Sequence, residues 1–416
     1  MKKSRMFRFR TMLAASLLAI GLAGCGTSGT SPTSGDGKYA QGVTDSEILI
    51  GHFGPQTGFA ANYDTIRQGI QSYVNLVNAQ GGVNGRKLKL IAYDNEYQPS
   101  KTVPVATKLV QEDKVFAIVA TTCTPCHQAA ESLFSEIPMV GPSPASTSAF
   151  LEPIRKNWFG AQMNYKIEGQ FFVDYAVRKM GAKRIAIIYE NDDYGKEGLN
   201  GAREYAQALG GVEIAGELPY NVQDVDFSSH AQKLKQLSPD VIIMTGVQKP
   251  AAALRTQLAK IDATNIPLMV TYAIGMDQKV MFDLAGESWN GVYSTLSMPT
   301  IDETDNPKLK EFLDQFTKDF PNSSPNGSAQ AGWAAAQILV EGIKRSGDNL
   351  TWDNFIAQME TLKDWDGSLY HDVFYTPDTR YGQTTLFLTQ AKDGKLEKVE
   401  GPVKYDPGTK TFIYGK

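Results

Sequence analysis

Short apolar runs alternate with amphipathic helical patterns along most of this chain. That alternation permits few folds. A strand, a helix and a second parallel strand in one sheet must cross over right-handed, with the helix laid on the sheet. Glu47–Phe53 reads as a strand, followed by a helix through Ile66, Ile70, Tyr73, Val74 and Val77 that Gly81 and Gly82 close. Lys87–Tyr93 reads as a strand, Thr102–Gln111 as a helix, and Val115–Ala120 and Ile137–Val140 as strands. The pattern restarts after the irregular stretch Phe150–Asn164. Helices are expected at Glu168–Met180, Gly198–Leu209, Phe227–Leu237 and Pro250–Ile261, and strands at Arg184–Tyr189, Val212–Leu218, Asp240–Thr245 and Pro267–Thr271. Two α/β lobes with parallel sheets follow. Helical patterns return at Pro307–Phe320, Gln330–Ser346 and Trp352–Leu362, and the tail from Leu369 reads as antiparallel strands and turns.

Val115–Ala120 is continuously apolar, as in a strand covered on both faces. It runs into Thr121, Thr122, Cys123, Thr124, Pro125, Cys126 and His127. Pro125 suits a helix's first turn, so the periodic segment Gln128–Phe134 is expected to be helical. The next strand ends in a second hydroxyl-rich corner, Gly141–Ser148. Two such corners side by side at a sheet's carboxyl edge make a crevice for a small polar ligand, and helix-start N–H groups there favour negative charge. Thr124 and Thr147 are the candidate contacts. The same residue types cap helices, so the residues alone leave both roles open.

The N-terminus carries Lys2, Lys3, Arg5, Arg8 and Arg10, then an apolar run from Met12 to Ala23. A basic head and a short apolar middle mark a secretory signal. Its end, Leu22-Ala23-Gly24-Cys25, resembles the bacterial lipobox, which makes Cys25 the lipidated first residue of the mature chain. Residues 1–24 are then the signal and 25–43 a flexible tether rich in Gly, Ser, Thr and Pro. The protein is expected outside the cytoplasm of a bacterium, held to the cell membrane by its lipid. No later run is apolar for long enough to span a bilayer, and a net charge of −4 gives no reason to expect nucleic acid as a partner.

Cys123-Thr124-Pro125-Cys126-His127 is a literal C-x-x-C-H, the string that attaches c-type haem, and C-x-x-C alone suggests thiol redox chemistry. No second axial ligand stands out, and zinc would need a fourth ligand that is not visible nearby. A local disulfide or inert thiol pair between Cys123 and Cys126, with no cofactor or metal, is the expectation. An extracytoplasmic thiol-redox or haem protein is its rival. His52, His230 and His371 are isolated, and no nucleophile motif or phosphate loop marks an enzyme.

Several motifs in order carry a resemblance. They are Gly54-Pro55-Gln56-Thr57-Gly58 with Tyr63; Asn78-Ala79-Gln80-Gly81-Gly82-Val83-Asn84-Gly85-Arg86; the Ser143–Ser148 corner; Asp193-Tyr194-Gly195; Asp226-Phe227-Ser228; and Ala285-Gly286-Glu287 leading to Gly291-Val292-Tyr293. With them, the chain resembles periplasmic binding proteins of the branched-chain amino acid transport type, the solute receptors of ABC importers. The resemblance implies two Rossmann-like lobes joined by a three-segment hinge, the type I arrangement. It divides the chain into 44–163 plus 296–366 and 164–295 plus 367–416. It also implies a monomer that hands a small polar organic solute (an amino acid, carboxylate or amide) to permease subunits in the membrane. Related clamshell domains also serve as ligand-sensing modules. The ligand-binding positions carried over are Tyr63, Thr124, Ala145, Thr147, Tyr194 and Tyr272. In that family an acidic residue near the end of the Pro267–Thr271 strand pairs with the ligand's ammonium. Here Tyr272 falls nearest, and the spacing of Asp277 fits a helix start instead. Gly246 and Val247 stand where an aromatic is expected after the Asp240–Thr245 strand. A carboxylate or amide without a free α-ammonium fits these departures better, since a buried ammonium without a carboxylate is costly.

Overall fold

In the computed structural model, which describes residues 38–143, 150 and 152–415, the first stretch of alternation forms a five-stranded sheet. Its strands are β1 (Glu47–Gly54), β2 (Lys87–Asp94), β3 (Ala117–Val119), β4 (Met139–Val140) and β5 (Trp158–Phe159). They are parallel throughout and lie in the order β2-β1-β3-β4-β5. Residues 115–120 are wholly buried, as a strand sandwiched between helical layers must be. Helix α1 (Thr65–Ala79) follows β1, and α2 (Pro99–Thr107) follows β2. The short α3 (Thr124–Ala129) follows β3. The N-A-x-G-G-V-N-G-R run ends α1 and makes a tight turn: Val83 and Arg86 exchange backbone hydrogen bonds, with Asn84 and Gly85 left-handed between them.

The second sheet has eight strands. Helices α4 (Tyr165–Arg178), α5 (Asp193–Leu209), α6 (Ser228–Leu237), α7 (Gln248–Lys260), α8 (Tyr272–Gly275) and α9 (Gln278–Ala285) belong to its half of the chain. Its parallel core is β6 (Arg184–Glu190), β7 (Glu213–Tyr220), β8 (Val241–Thr245), β9 (Leu268–Val270) and β10 (Tyr293–Leu296), in the order β7-β6-β8-β9-β10. Both sheets therefore repeat one order, second, first, third, fourth, fifth. In each the order reverses beside the first strand, and ligand crevices form at that switch point, outside the carboxyl ends of the strands.

After β10 the chain returns to the first half as α10 (Pro307–Asp319), α11 (Gly327–Ser346) and α12 (Trp352–Met359). Helix α11 is buried almost along its length against α1. Their backbones meet so closely that a Cβ on Gly69 would stand 2.0 Å from the Ala329 carbonyl oxygen, and one on Gly332 would stand 2.0 Å from that of Ile66.

The tail departs from expectation in two ways. Strands β13 (Thr385–Lys392), β14 (Lys395–Asp406) and β15 (Thr411–Tyr414) are antiparallel, as the tail's pattern suggested, but they make a sheet expected to be parallel a mixed one. They extend the second sheet, with β13 antiparallel to β10. Residues 369–382, assigned from sequence to the second lobe, pack instead with the first. Leu369, Tyr370, Val373 and Tyr375 share its core, and the Tyr375 ring lies edge-on to Phe159 at 5.0 Å. The hairpin of β11 (Phe374–Thr376) and β12 (Thr379–Gly382) sits there, tied by Gly160 N donating to the Arg380 carbonyl at 2.7 Å. Their alternation covers the aromatic edge of the first sheet, which is as good a burial surface as the second. Three smaller shifts have local causes. The helix expected over Thr102–Gln111 begins at Pro99, whose fixed φ suits a first turn, and loosens into a wider turn over Lys108–Glu112. The segment 128–134 splits between the end of α3 and a separate 3-10 turn, Glu131–Phe134. The strand expected from Ile137 pairs only over Met139–Val140. Among the described residues, no helix is long and apolar enough to cross a membrane.

Candidate functional site

One wall of the cleft is the corner after β3. The backbone turns sharply there: Ala120 and Cys123 have φ of 48° and 90°, values costly for side-chain-bearing residues. Cys123 caps α3, its Sγ accepting from the Cys126 N–H at 3.2 Å, and a disulfide joins the same two residues. Thr124 and Ser143 bring their hydroxyls to 3.3 Å, and the Ser143 N–H donates to Thr121 Oγ1 at 2.9 Å. The adjacent strand's corner is thereby locked to this one. The Thr122 hydroxyl is buried at the cleft (8% of the residue is exposed) and has no hydrogen-bond partner. An unpaired buried hydroxyl is costly unless something completes it. Helix α3 has six residues, too short for a substantial N-terminal field, and Cys123 already takes one of its free N–H groups. This corner therefore presents hydroxyls to the cleft rather than the free helix start that the sequence suggested.

His127 is fully buried behind this wall. The rings of Phe53, Phe134, Phe150 and Trp158 surround it, with centroids 4.2–6.4 Å away, and burial pulls its pKa down to about 3. Both sulfurs are joined to each other and the imidazole is packed in aromatics. This arrangement does not accommodate haem attachment, which needs both thiols free and the ring turned outward.

The facing wall comes from the second lobe. Asp192 caps α5 by accepting from Gly195 N at 2.9 Å, which sets Tyr194 in the first turn. The Tyr194 hydroxyl donates to the Gly246 carbonyl at 2.8 Å and lies 2.8 Å from Thr271 Oγ1. Asn164 caps α4 and so places Tyr165, whose ring lies 4.3 Å from Tyr194 and nearly parallel to Tyr272 at 5.8 Å. The Tyr272 N–H donates to Glu168 Oε1 at 2.7 Å, and the Thr295 hydroxyl donates to the same oxygen. Burial raises the Glu168 pKa to about 8 against the pull of those bonds. Glu190 is pushed well up by burial and by Asp192 beside it, and burial also raises Asp192. The phenols of Tyr63, Tyr97, Tyr165, Tyr194 and Tyr272 are all raised, chiefly by burial, and stay neutral.

The two walls meet around a cavity of about 30 Å³. Bonds that cross the cleft hold this closed form. Tyr63 donates its phenol to the Ala273 carbonyl at 3.0 Å, Lys249 Nζ reaches the Phe59 carbonyl at 2.5 Å, and Asn62 donates to Gln248. Asn326, which caps α11, donates to Asp277 Oδ2 at 2.6 Å, while Asp277 caps α9 with its other oxygen, as its spacing suggested.

Of the positions taken from sequence, Tyr63, Thr124, Tyr194 and Tyr272 all line this cavity. Ala145, Thr147 and Cys25 lie outside the described residues. Sequence reasoning missed Thr122, Ser143, Tyr97 and Tyr165, which line it too. Thr122 and Tyr165 had usable signals, one beside Thr124 and the other just after Asn164. Tyr97 had none: it enters through two successive left-handed residues, Glu96 and Tyr97, with φ of 51° and 59°. Among the described residues the lining holds no Asp, Glu, Lys, Arg or His.

A family model described as periplasmic binding protein matches residues 47–395. An amino acid binding protein of Pseudomonas aeruginosa is 28% identical over 215 residues, 51% of this chain and 57% of its own length, so the chain spans little more than half of that relative. A leucine-, isoleucine-, valine-, threonine- and alanine-binding protein of the same organism is 26% identical over 76% of this chain and 82% of its own length. Among solved structures, the fatty acid ABC transporter substrate-binding protein of Thermomonospora curvata superposes with a TM-score of 0.76 at 23% identity, covering 87% of this chain and 93% of its own.

Proposed function

The chain belongs to the periplasmic binding protein family, and on that premise we propose that it is a lipid-anchored receptor that captures a small organic solute for an ABC importer. The observation that carries this reading is the closed cleft itself. Equivalent carboxyl edges of two sheets of the same strand order meet there, a hydroxyl wall facing a tyrosine wall, with no Asp, Glu, Lys, Arg or His in the described lining. Such a lining captures a solute and leaves it unchanged. Relatives named for amino acids and a structural neighbour named for fatty acids support a solute-binding role without fixing the solute.

In the proposed mechanism the first lobe takes the solute's oxygen-rich head on Thr122, Thr124 and Ser143, together with Thr147, which lies outside the described residues. The second lobe then closes with Tyr194 and Tyr272. The solute touches both walls only in the closed state, so it shifts the equilibrium toward closure by its differential affinity. The permease reads the closed shape.

A thermal-shift screen with branched-chain amino acids, aromatic and aliphatic acids, amides and ureas tests the solute half. A carboxylate or amide without a free α-ammonium should stabilise the protein, and leucine, isoleucine and valine should do so little. Tight leucine binding that survives Thr124→Val would show that the site is misplaced. For the anchor, Cys25→Ser should release the protein from membranes or leave its signal attached. Normal cleavage after Gly24 with retention in the membrane would contradict lipidation.

A further inference from the structure

The tyrosines that line the cleft engage their hydroxyls within the protein. Tyr63 gives its proton to the Ala273 carbonyl and Tyr194 to the Gly246 carbonyl, while the hydroxyls of Tyr165 and Tyr272 lie 3.3 Å from each other. A primary ammonium carries N–H donors that all need acceptors once water is stripped away. Among the described residues no carboxylate lines the cavity, and the Ala273 and Gly246 carbonyls each already accept a phenol proton. A fully alkylated ammonium has no N–H to satisfy, and the faces of tyrosine rings stabilise its charge directly.

The surroundings decide between such a cation and a neutral aromatic ring, which the same rings could also hold. Behind the tyrosines stand four carboxyl groups of the second lobe, Glu168, Glu190, Asp192 and Asp277. Asp277 bears on Tyr63 and Asp192 on Tyr97, while burial pushes Glu168 and Glu190 toward the neutral form. Asp192 and Asp277 accept from fixed donors that favour the charged form against the pull of burial, Asp192 from Gly195 N and Asp277 from Val280 N and Asn326 Nδ2. A cation at this wall gains from that field, and a neutral ring does not. The opposite wall offers the unpaired Thr122 hydroxyl with Thr124 and Ser143 beside it, a setting for an anion. The small cavity favours a compact solute, which parts the lobes least.

We propose that the solute is a betaine, a compact zwitterion whose carboxylate sits on Thr122, Thr124 and Ser143 and whose fully N-alkylated ammonium sits among Tyr63, Tyr165, Tyr194 and Tyr272. This rests on the solute-receptor reading above and narrows it to one ligand class.

Calorimetric titration of the purified protein with glycine, N-methylglycine, N,N-dimethylglycine and glycine betaine tests it, with leucine and benzoate alongside. Affinity should rise along the methyl series, with glycine betaine at least roughly tenfold tighter than glycine. Tyr272→Phe, which keeps the ring, should hold the betaine affinity within about threefold, and Tyr272→Leu should lose roughly tenfold. Leucine or benzoate binding more tightly than glycine betaine, or affinity flat along the series, overturns the betaine assignment and leaves the receptor reading standing. Binding of none of the six overturns the assignment. If the native protein also carries no solute, the receptor reading falls with it.

Discussion

Removing the Tyr63 hydroxyl should weaken solute binding by loosening the closed state. Tyr63 stands in the 3-10 turn Ala61–Asp64 of the first lobe, and its phenol reaches the Ala273 carbonyl of the second at 3.0 Å. Both groups are buried when the lobes are together and meet water when they part. Tyr63→Phe keeps the ring and its packing. It loses a bond worth about 1 kcal/mol net and leaves the carbonyl unpaired, a cost of about 1–3 kcal/mol that falls on the closed state alone. Taking about 1.4–2 kcal/mol, the closed population drops roughly tenfold to thirtyfold, and the apparent affinity with it. The loss should be in the dissociation rate, because the open form that meets the solute is unaltered. Calorimetry gives the affinity, stopped-flow the rates, and small-angle scattering the degree of closure. Unchanged affinity together with unchanged compaction on adding solute would refute the reasoning, because the bond would then contribute nothing to closure.

Three further outcomes are expected. Glu168 has a folded pKa of about 8 against a usual 4.5, so the unfolded chain ionises first and stability falls as pH rises. Between about pH 7 and 8, where most of the unfolded histidine has already titrated, this group contributes a slope of up to ~1.4 kcal/mol per unit. Glu168→Gln should flatten it in urea melts across that range, and an identical slope in both proteins would contradict the assignment. Thr124→Val and Thr122→Val keep shape and remove a hydroxyl from the proposed anion wall. Each should weaken binding of a carboxylate solute by roughly tenfold to a hundredfold, the worth of one hydrogen bond to a charged group, without lowering Tm by more than a few degrees. Double substitution of Cys123 and Cys126 by Ser should cost about 2 kcal/mol, the loop-closure value for so short a loop, with no change in visible absorbance; a Soret band in the native protein would contradict the disulfide.

The architecture was legible where periodicity carries it. The apolar run at 115–120 and the amphipathic helices declared an α/β chain, because strand and helix periods differ and both are local. The strand order was not legible, since pairing β1 between β2 and β3 is a non-local choice. The tail shows the limit most clearly. Residues 369–382 alternate as strands should, yet alternation does not say which sheet will cover them, and the edge at Phe159 took them. At the cleft, Tyr63 and Tyr194 could be placed because they accompany family motifs, Thr124 because it stands where a buried strand turns into a helix, and Tyr272 because it directly follows the Pro267–Thr271 strand. Thr122 was hidden because a corner threonine looks like a cap until its hydroxyl is found buried and unpaired. Tyr97 was hidden because left-handed backbone at a bulky residue leaves no pattern.

The central claim is that one small solute sits between the lobes and holds them shut. Native mass spectrometry of protein purified without refolding, followed by denaturation and identification of what is released, tests it most directly. One non-covalent small organic molecule per chain is expected, released on denaturation, whose re-addition to stripped protein restores the compact form. A protein that carries no solute, binds none on re-addition of cell extract metabolites, or carries a covalent haem mass at Cys123 and Cys126 would contradict it.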